Sequence, residues 1–138
     1  MARAKAPKMQ RPAKDAKARR AERVFKTPYF AKQAKDAGIS DRELCDATTE
    51  LRKGQGDRLG GGVWKKRLDK NRQRAIVITK VDGFWVYVYL FAKKDRENIT
   101  PKELKAFKKL SGDYQSADVE QMLKNGDLHE ICKDEKEK

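Results

Sequence analysis

The sequence has little of the chemical equipment on which most enzymes depend. Its 138 residues include one histidine, His129, and two cysteines, Cys45 and Cys132, which lie far apart without Cys or His neighbours. This spacing predicts neither a disulfide framework nor a zinc site, and no other residues suggest a metal or a cofactor. His129 is expected to be an ordinary residue of an edge segment and not a catalytic base.

Long apolar segments are also missing from the sequence. No run approaches the roughly 20 apolar residues that a membrane-spanning helix needs. No apolar segment near the start resembles the core of a signal peptide. Together with the separated cysteines, these absences predict a cytoplasmic protein in a reducing compartment.

Positive charge is what the sequence has in excess. It carries 34 Lys and Arg against 21 Asp and Glu, for a net charge of +13. A surface of this charge attracts polyanions, and nucleic acid is the most common of these for a soluble protein. An acidic protein partner or an anionic membrane would match the same charge, so both alternatives stay open.

Residues 1–23 differ from the rest of the chain. They hold nine Lys or Arg against two acids, include Pro7 and Pro12, and have few apolar side chains. Such a segment cannot bury enough surface to offset the entropy lost on ordering, so it is predicted to be a disordered basic arm. It is either a solvated tail or a non-specific arm for the phosphates of RNA or the ribosome.

One domain is predicted over residues 24–132, with a frayed charged tail over 133–138. It begins with a short strand at 23–26, followed by helices at 27–38 and 41–53 that form an αα-hairpin. Helix-start signals are Thr27 with Pro28 and a capping box of Ser40 with Glu43. The apolar stripes of the two helices are predicted to be Tyr29, Phe30 and Ala34, and Leu44, Ala47, Thr48 and Leu51.

Three strands are predicted after a glycine-rich loop at 54–62. They span 63–68, 75–80 and 84–91, and the last is aromatic and β-branched throughout, as in a central strand covered on both faces. Asp82-Gly83 predicts a tight hairpin turn between the last two strands.

The rest of the chain predicts two closing helices, at 101–112 and 117–124, and an edge strand at 128–131. The fold class is therefore α+β. The αα-hairpin and the closing C-terminal helices are expected to pack on one face of a small antiparallel sheet, preceded by the basic arm.

The predicted strands carry a cluster of cations. Alternation along 63–68 places Lys65 and Arg67 on one face and Lys66 on the other. Further cations follow at the ends of the neighbouring strands: Arg72, Arg74, Lys93, Lys94 and Arg96. Like charges that face each other across strands are destabilising, so the cluster suggests a bound anion; a solvated basic face is the alternative.

Two segments resemble a known family. The run Leu-Gly-Gly-Gly-Val-Trp-Lys-Lys-Arg-Leu at 59–68, the run Phe-Ala-Lys-Lys-Asp-Arg-Glu-Asn-Ile at 91–99 and the order of elements are similar to the RelE/ParE toxin superfamily. The nearest branch resembles the RelE- and HigB-like toxins of type II toxin–antitoxin systems, and the resemblance covers about 24–131. It implies a cognate antitoxin as partner, with messenger RNA and the ribosome as targets.

The resemblance also implies a reaction and its residues. Members of the RelE branch cut messenger RNA on the ribosome without metal, by attack of a ribose 2′-hydroxyl on the adjacent phosphate, and so stop translation. The positions that match their cationic catalytic residues are Lys65, Arg67, Arg74 and Lys94. The cations beside them are predicted to bind RNA: Lys66, Arg72, Lys93 and Arg96.

The sequence departs from the family in two respects. Arg67 stands where the family has a lysine, and Lys94 stands where it has an arginine. A tyrosine that the type member carries after the last strand is replaced by Asn98 and Ile99. A gyrase-inhibiting toxin of the ParE branch and a non-catalytic nucleic-acid-binding regulator therefore remain as alternatives. Gyrase inhibition does not require the cationic cluster on the sheet, whereas RNA cleavage does.

Overall fold

The computed structural model describes residues 23–79 and 83–133. The basic arm up to residue 22, most of the predicted hairpin turn at 80–82 and the tail after residue 133 lie outside the described residues. The strands are β1 (Arg23–Lys26), β2 (Asp57–Gly60), β3 (Val63–Leu68), β4 (Gln73–Thr79), β5 (Phe84–Ala92) and β6 (His129–Ile131). The helices are α1 (Pro28–Ala37), α2 (Asp41–Arg52), α3 (Pro101–Gln115) and α4 (Val119–Asn125).

The helices begin where the capping residues predict. The Thr27 hydroxyl accepts a hydrogen bond from the Phe30 amide at 3.1 Å, and Gly38 ends α1 with a left-handed φ of 75°. Thr100 and Glu103 form a full capping box at the start of α3. Because such caps satisfy amides that the helix itself leaves unpaired, they fix its first turn from local sequence alone.

Three details of the helices differ from the prediction. Ser40 caps α2, but the Glu43 carboxylate accepts from the Asp69 amide and does not complete a capping box. Tyr29 is 61% exposed, so only Phe30 and Ala34 form the buried stripe of α1. Helix α3 continues past Gly112 to Gln115, because a glycine lowers helix stability without ending a helix whose other face is packed.

The sheet is mixed, with the strand order β2-β3-β4-β5-β1-β6. Strands β3, β4 and β5 form the predicted antiparallel meander, and β6 is the predicted edge strand. The prediction of a wholly antiparallel sheet is wrong, because β1 pairs parallel with β5. The prediction of a loop at 54–62 is also wrong in part, since β2 forms there and pairs with β3.

Helices cover both faces of the sheet, and the prediction of one covered face is wrong. Alternation along β4 sends Ala75 and Val77 into a core with α1 and α2, and Ile76 and Ile78 into a second core with α3 and α4. All four side chains are fully buried. A strand that is apolar at every position needs cover on both sides, and the run of apolar residues in β4 and β5 has this character.

A β-bulge in β5 changes which side chains meet α3. Ile76 lies opposite Tyr89 and Val77 opposite Tyr87, so Val88 has no partner in β4. Val88 and Tyr89 consequently both face the α3 core, and Phe91 follows them on that side. The bulge thus adds an aromatic pair to the α3 face of the sheet.

Replacing Val88 by Asp should give insoluble protein. The side chain is 6% exposed in the α3 core, where a carboxylate would have no partner. Burial of such an unpaired charge costs several kcal/mol, on the order of a small domain's whole stability. Val88→Ala is the matched control and should stay soluble with a lower melting temperature; a cooperatively folding Val88→Asp would contradict the core assignment.

The two cysteines form a disulfide, contrary to the sequence prediction. Cys45 of α2 and Cys132, which directly follows β6, have Cα atoms 5.6 Å apart and bonded sulfurs. They are 87 residues apart in sequence. Their proximity depends on the pairing of β6 with β1, which brings β6 into the core that α2 shares. The expectation of a reducing compartment rested in part on the mistaken interpretation of these cysteines.

Within residues 23–79 and 83–133, every helix is too short or too polar to cross a membrane. In the same part of the chain, no group of three or more His, Cys, Asp or Glu side chains could hold a metal ion.

Candidate nucleic-acid interface

Three predicted site residues lie on one face of the sheet. Lys65 is opposite Ile76, and Arg67 is opposite Arg74. Directly opposed residues of antiparallel strands share a face, and Ile76 belongs to the α3 core. We call Lys65, Arg67 and Arg74 the cationic face; it continues the α3 side of the sheet beyond the helix.

Arg67 and Arg74 form a like-charged pair across β3 and β4. Arg67 is exposed and makes no ion pair with a described residue. Arg74 is 7% exposed, and its Nη1 donates to the carbonyl oxygens of Asn71 at 3.0 Å and Gln73 at 3.3 Å. These carbonyls orient the guanidinium without cancelling its charge, so an anion between the two arginines would be stabilised.

Lys65 has a distant acidic neighbour. Its Nζ lies 3.8 Å from the Asp57 carboxylate of β2, the strand that the sequence did not predict. This distance allows an ion pair but exceeds that of a good hydrogen bond. A phosphate that approaches the face can therefore compete for the lysine without first breaking a short contact.

Two cations that were predicted to bind RNA are engaged elsewhere. Lys66 points to the α2 side, where its Nζ is 2.6 Å from Glu50 and donates to the Gln55 carbonyl at 3.0 Å. Arg72 pairs with Asp69 at 2.8 Å within the β3–β4 turn. Lys66 in particular is a buried contact between α2 and β3, so the structure does not bring it to the cationic face.

Lys93 and Lys94 lie at the exposed end of β5. They line an open cleft together with Arg72, Gln73 and Ala92. The cleft is also lined by Asn71, whose carbonyl accepts from Arg74, so it adjoins the β3–β4 turn. Lys94 therefore lies beside Lys93 at this end of the sheet, next to the turn that holds the Arg74 guanidinium.

Arg96 is held at the other side of the cationic face. Its guanidinium makes two hydrogen bonds to the Glu103 carboxylate and lies over the Phe91 ring, 5.6 Å from the centroid. Phe91 is opposite Arg74 in the sheet. The Arg96 hydrogen bond and the Thr100 amide hold the pKa of Glu103 at about 2, so this carboxylate is charged at neutral pH.

The glycine-rich turn between β2 and β3 serves packing. A Cβ at Gly62 would lie 2.5 Å from the Ser111 hydroxyl of α3, and its φ of 83° also disfavours other residues. The close approach of α3 to this turn packs the later part of the helix against the start of β3, at the opposite end of the strand from Arg67. The sequence singled out these glycines but could not predict this partner.

The structure thus defines a class of protein: a small α/β domain whose sheet presents an opposed, poorly compensated row of cations suited to phosphate groups. The model of the RelE toxin family, described as the RelE toxin of the RelE/RelB toxin–antitoxin system, matches residues 22–131. The chain belongs to this family and is a toxin of a toxin–antitoxin system. Toxins of this family have a cognate antitoxin as their partner. No curated protein and no solved structure matches the chain.

Proposed function

We propose that this toxin is a ribosome-dependent endoribonuclease that cuts messenger RNA and inhibits translation. The observation that carries the proposal is the register of β3 and β4, which sets Arg67 against Arg74 with Lys65 on the same face. Family members are generally endoribonucleases, which supports the same activity. The net charge of +13 favours binding to the phosphates of messenger RNA and ribosomal RNA.

The reaction that fits these residues uses a nucleophile from the RNA itself. A ribose 2′-oxygen bonds to the adjacent phosphorus, its proton passes to solvent, and the bond from phosphorus to the 5′-oxygen breaks. The extra negative charge develops on the phosphoryl oxygens, where preorganised cations stabilise it most. In this proposal Arg67 and Arg74, which are opposed in the sheet, bind these oxygens, and Lys65 binds at the attacking 2′-oxygen.

The antitoxin is expected to inhibit by covering or distorting this face. Because Arg67 lacks a partner among described residues, an acidic segment of the antitoxin would find an open cation there. A neutralised cationic face could then no longer bind the phosphate.

The direct test is to map messenger RNA 5′ ends after brief induction of the toxin. Cuts within translated codons, with 2′,3′-cyclic phosphate on the upstream fragment, would support the proposal. A cyclic phosphate is the product of 2′-oxygen attack, whereas attack by water leaves none. Intact messenger RNA beside broken chromosomal DNA would favour a gyrase-inhibiting toxin instead.

Deletion of residues 1–22 should weaken RNA binding while leaving the fold stable. The deletion must stop before Arg23, because this β1 residue pairs with Glu120 and Glu130 at 2.7 Å each. From its composition, loss of the arm should move the melting temperature by only about a degree or two. The salt dependence of RNA affinity should become shallower, because fewer phosphates are neutralised.

A full-length variant with glutamine at the lysines and arginines of 1–22 is the matched control for this deletion. It should reproduce the weaker binding if charge, and not chain length, is what matters. A melting temperature that falls by many degrees on deletion would show that the arm packs on the domain.

A further inference from the structure

A tyrosine shares the cationic face, and the sequence prediction did not include it. Tyr89 lies opposite Ile76, which is itself opposite Lys65. Two residues further along β5, Phe91 lies opposite Arg74, so Tyr89 is the diagonal neighbour of Arg74. Such neighbours are about 7–8 Å apart, within reach of aromatic and long side chains.

The ring and the hydroxyl of Tyr89 are both fixed. The ring packs against Phe91 and Phe107, with centroid distances of 5.8 and 6.0 Å. The hydroxyl oxygen accepts a long hydrogen bond, 3.4 Å, from Nη1 of Arg96. Because the oxygen is the acceptor in this contact, the hydrogen of the hydroxyl is left to donate in another direction.

Arg96 is in turn fixed from α3. Glu103, the residue that closes the capping box with Thr100, binds the guanidinium through both carboxylate oxygens. The guanidinium also donates to the Asn98 carbonyl at 3.0 Å. The start of α3 therefore sets the position of Arg96, and Arg96 sets the position of the Tyr89 hydroxyl.

In the proposed reaction Lys65 serves the attacking 2′-oxygen, and the other two members of the cationic face are arginines. An arginine does not release its proton in proteins. The single histidine lies in β6, at the edge of the sheet beyond β1. We propose that Tyr89 is the general acid of the RNA cleavage, with Arg96 as its positioning residue; this rests on the proposed function.

As the bond from phosphorus to the 5′-oxygen breaks, its electron pair stays on that oxygen, which takes the proton of the Tyr89 hydroxyl. The phenolate formed is stabilised by the N–H of Arg96 and regains a proton from water. The 2′-hydroxyl proton passes to solvent, so the RNA gains a 2′,3′-cyclic phosphate end and a 5′-hydroxyl end.

Tyr89→Phe is the test, since it keeps the ring contacts and removes only the hydroxyl. In single-turnover cleavage of messenger RNA on ribosomes, its rate constant should fall about 100-fold, the lower range for general acid–base catalysis. RNA affinity and melting temperature should stay unchanged. Tyr29→Phe, which removes an exposed hydroxyl on α1, should cleave at the parental rate.

A substrate with sulfur in place of the bridging 5′-oxygen tests specifically whether Tyr89 acts as the general acid. A thiolate departs without being protonated, because a thiol is far more acidic than an alcohol. Tyr89→Phe should therefore cut the sulfur substrate at nearly the parental rate, whereas Arg67→Ala should stay slow on both substrates. Arg96→Gln should lose activity on the oxygen substrate and recover it in part on the sulfur substrate.

The outcomes separate this inference from the proposed function. If the parent leaves the oxygen substrate uncut, the endoribonuclease proposal fails. If the parent cuts it and Tyr89→Phe cuts it as fast, only the role of Tyr89 is overturned. Equal slowing of Tyr89→Phe on both substrates would also overturn that role, because the hydroxyl would then act before the leaving step.

Discussion

Cells that produce the Arg74→Ala variant should keep growing after induction, whereas cells that produce the parent should stop. Arg74 lies opposite both Arg67 and Phe91 in the sheet, at the centre of the cationic face. Loss of one preorganised donor to a developing anion typically lowers the rate by about 10²–10³-fold, or roughly 3–4 kcal/mol of transition-state stabilisation. Toxicity that depends on RNA cleavage should fall with it.

The structure shows what must be controlled in this experiment. Arg74 also donates to the Asn71 and Gln73 carbonyls, so its removal could open the β3–β4 turn as well as empty the site. Arg67→Ala separates the two effects, because Arg67 is exposed and has no described partner to lose. It should abolish toxicity at an unchanged melting temperature and with antitoxin binding retained.

Lys102→Ala is the charge-matched control. Lys102 is an exposed cation in the first turn of α3, outside the cationic face. The variant should remain toxic, and 5′-end mapping should show the parental cuts with it and none with Arg74→Ala. Full toxicity of both Arg67→Ala and Arg74→Ala would contradict cleavage at this face.

The parts of the fold that the sequence predicts are those with local causes. Strand β3 has the predicted bounds, 63–68, because its alternation and flanking turns are contained within the segment. Helix starts at Thr27, Ser40 and Thr100 follow from caps within one turn. The shared face of Lys65 and Arg67 follows from the two-residue period of a strand.

The parts that could not be predicted depend on partners distant in sequence. The parallel pairing of β1 with β5 joins residues about sixty positions apart, and no local pattern encodes it. In the sequence, Lys66 cannot be distinguished from the neighbouring cations. Its ion pair with Glu50 of α2 is seen only in the folded structure. Tyr89 has the composition of an ordinary core residue, and only the register with β4 and the contact with Arg96 bring it to the cationic face.

Reduction of the disulfide should lower the free energy of unfolding by a large amount. The bond joins Cys45 and Cys132 across 87 residues, so it excludes many conformations of the unfolded chain. For a loop of this length the chain-entropy argument gives about 4–5 kcal/mol. In a domain of this size that corresponds to a melting temperature lower by an amount on the order of 10 °C or more.

Cys132→Ser is the variant for this test, because Cys132 is less buried than Cys45 and a hydroxyl there costs less. Its melting temperature should fall as stated and should not respond to a reductant. The parent with reductant should melt close to the variant, and the unfolded parent without reductant should show no free thiol. A parent whose melting temperature is indifferent to reductant would contradict a stabilising bond.

Apart from this global effect, the bond should restrain the edge of the sheet that β6 forms. This strand has three residues, and among the described residues it pairs with β1 alone. The bond that follows it therefore connects the end of the domain covalently to α2. Helix α2 is also joined to β3 by the ion pair between Glu50 and Lys66, which does not depend on the disulfide. Hydrogen exchange on the reduced protein at 25 °C should therefore be fastest in β6, through local opening of this edge. The amides of β3 and β4 should lose only the protection that corresponds to the lower free energy of global unfolding.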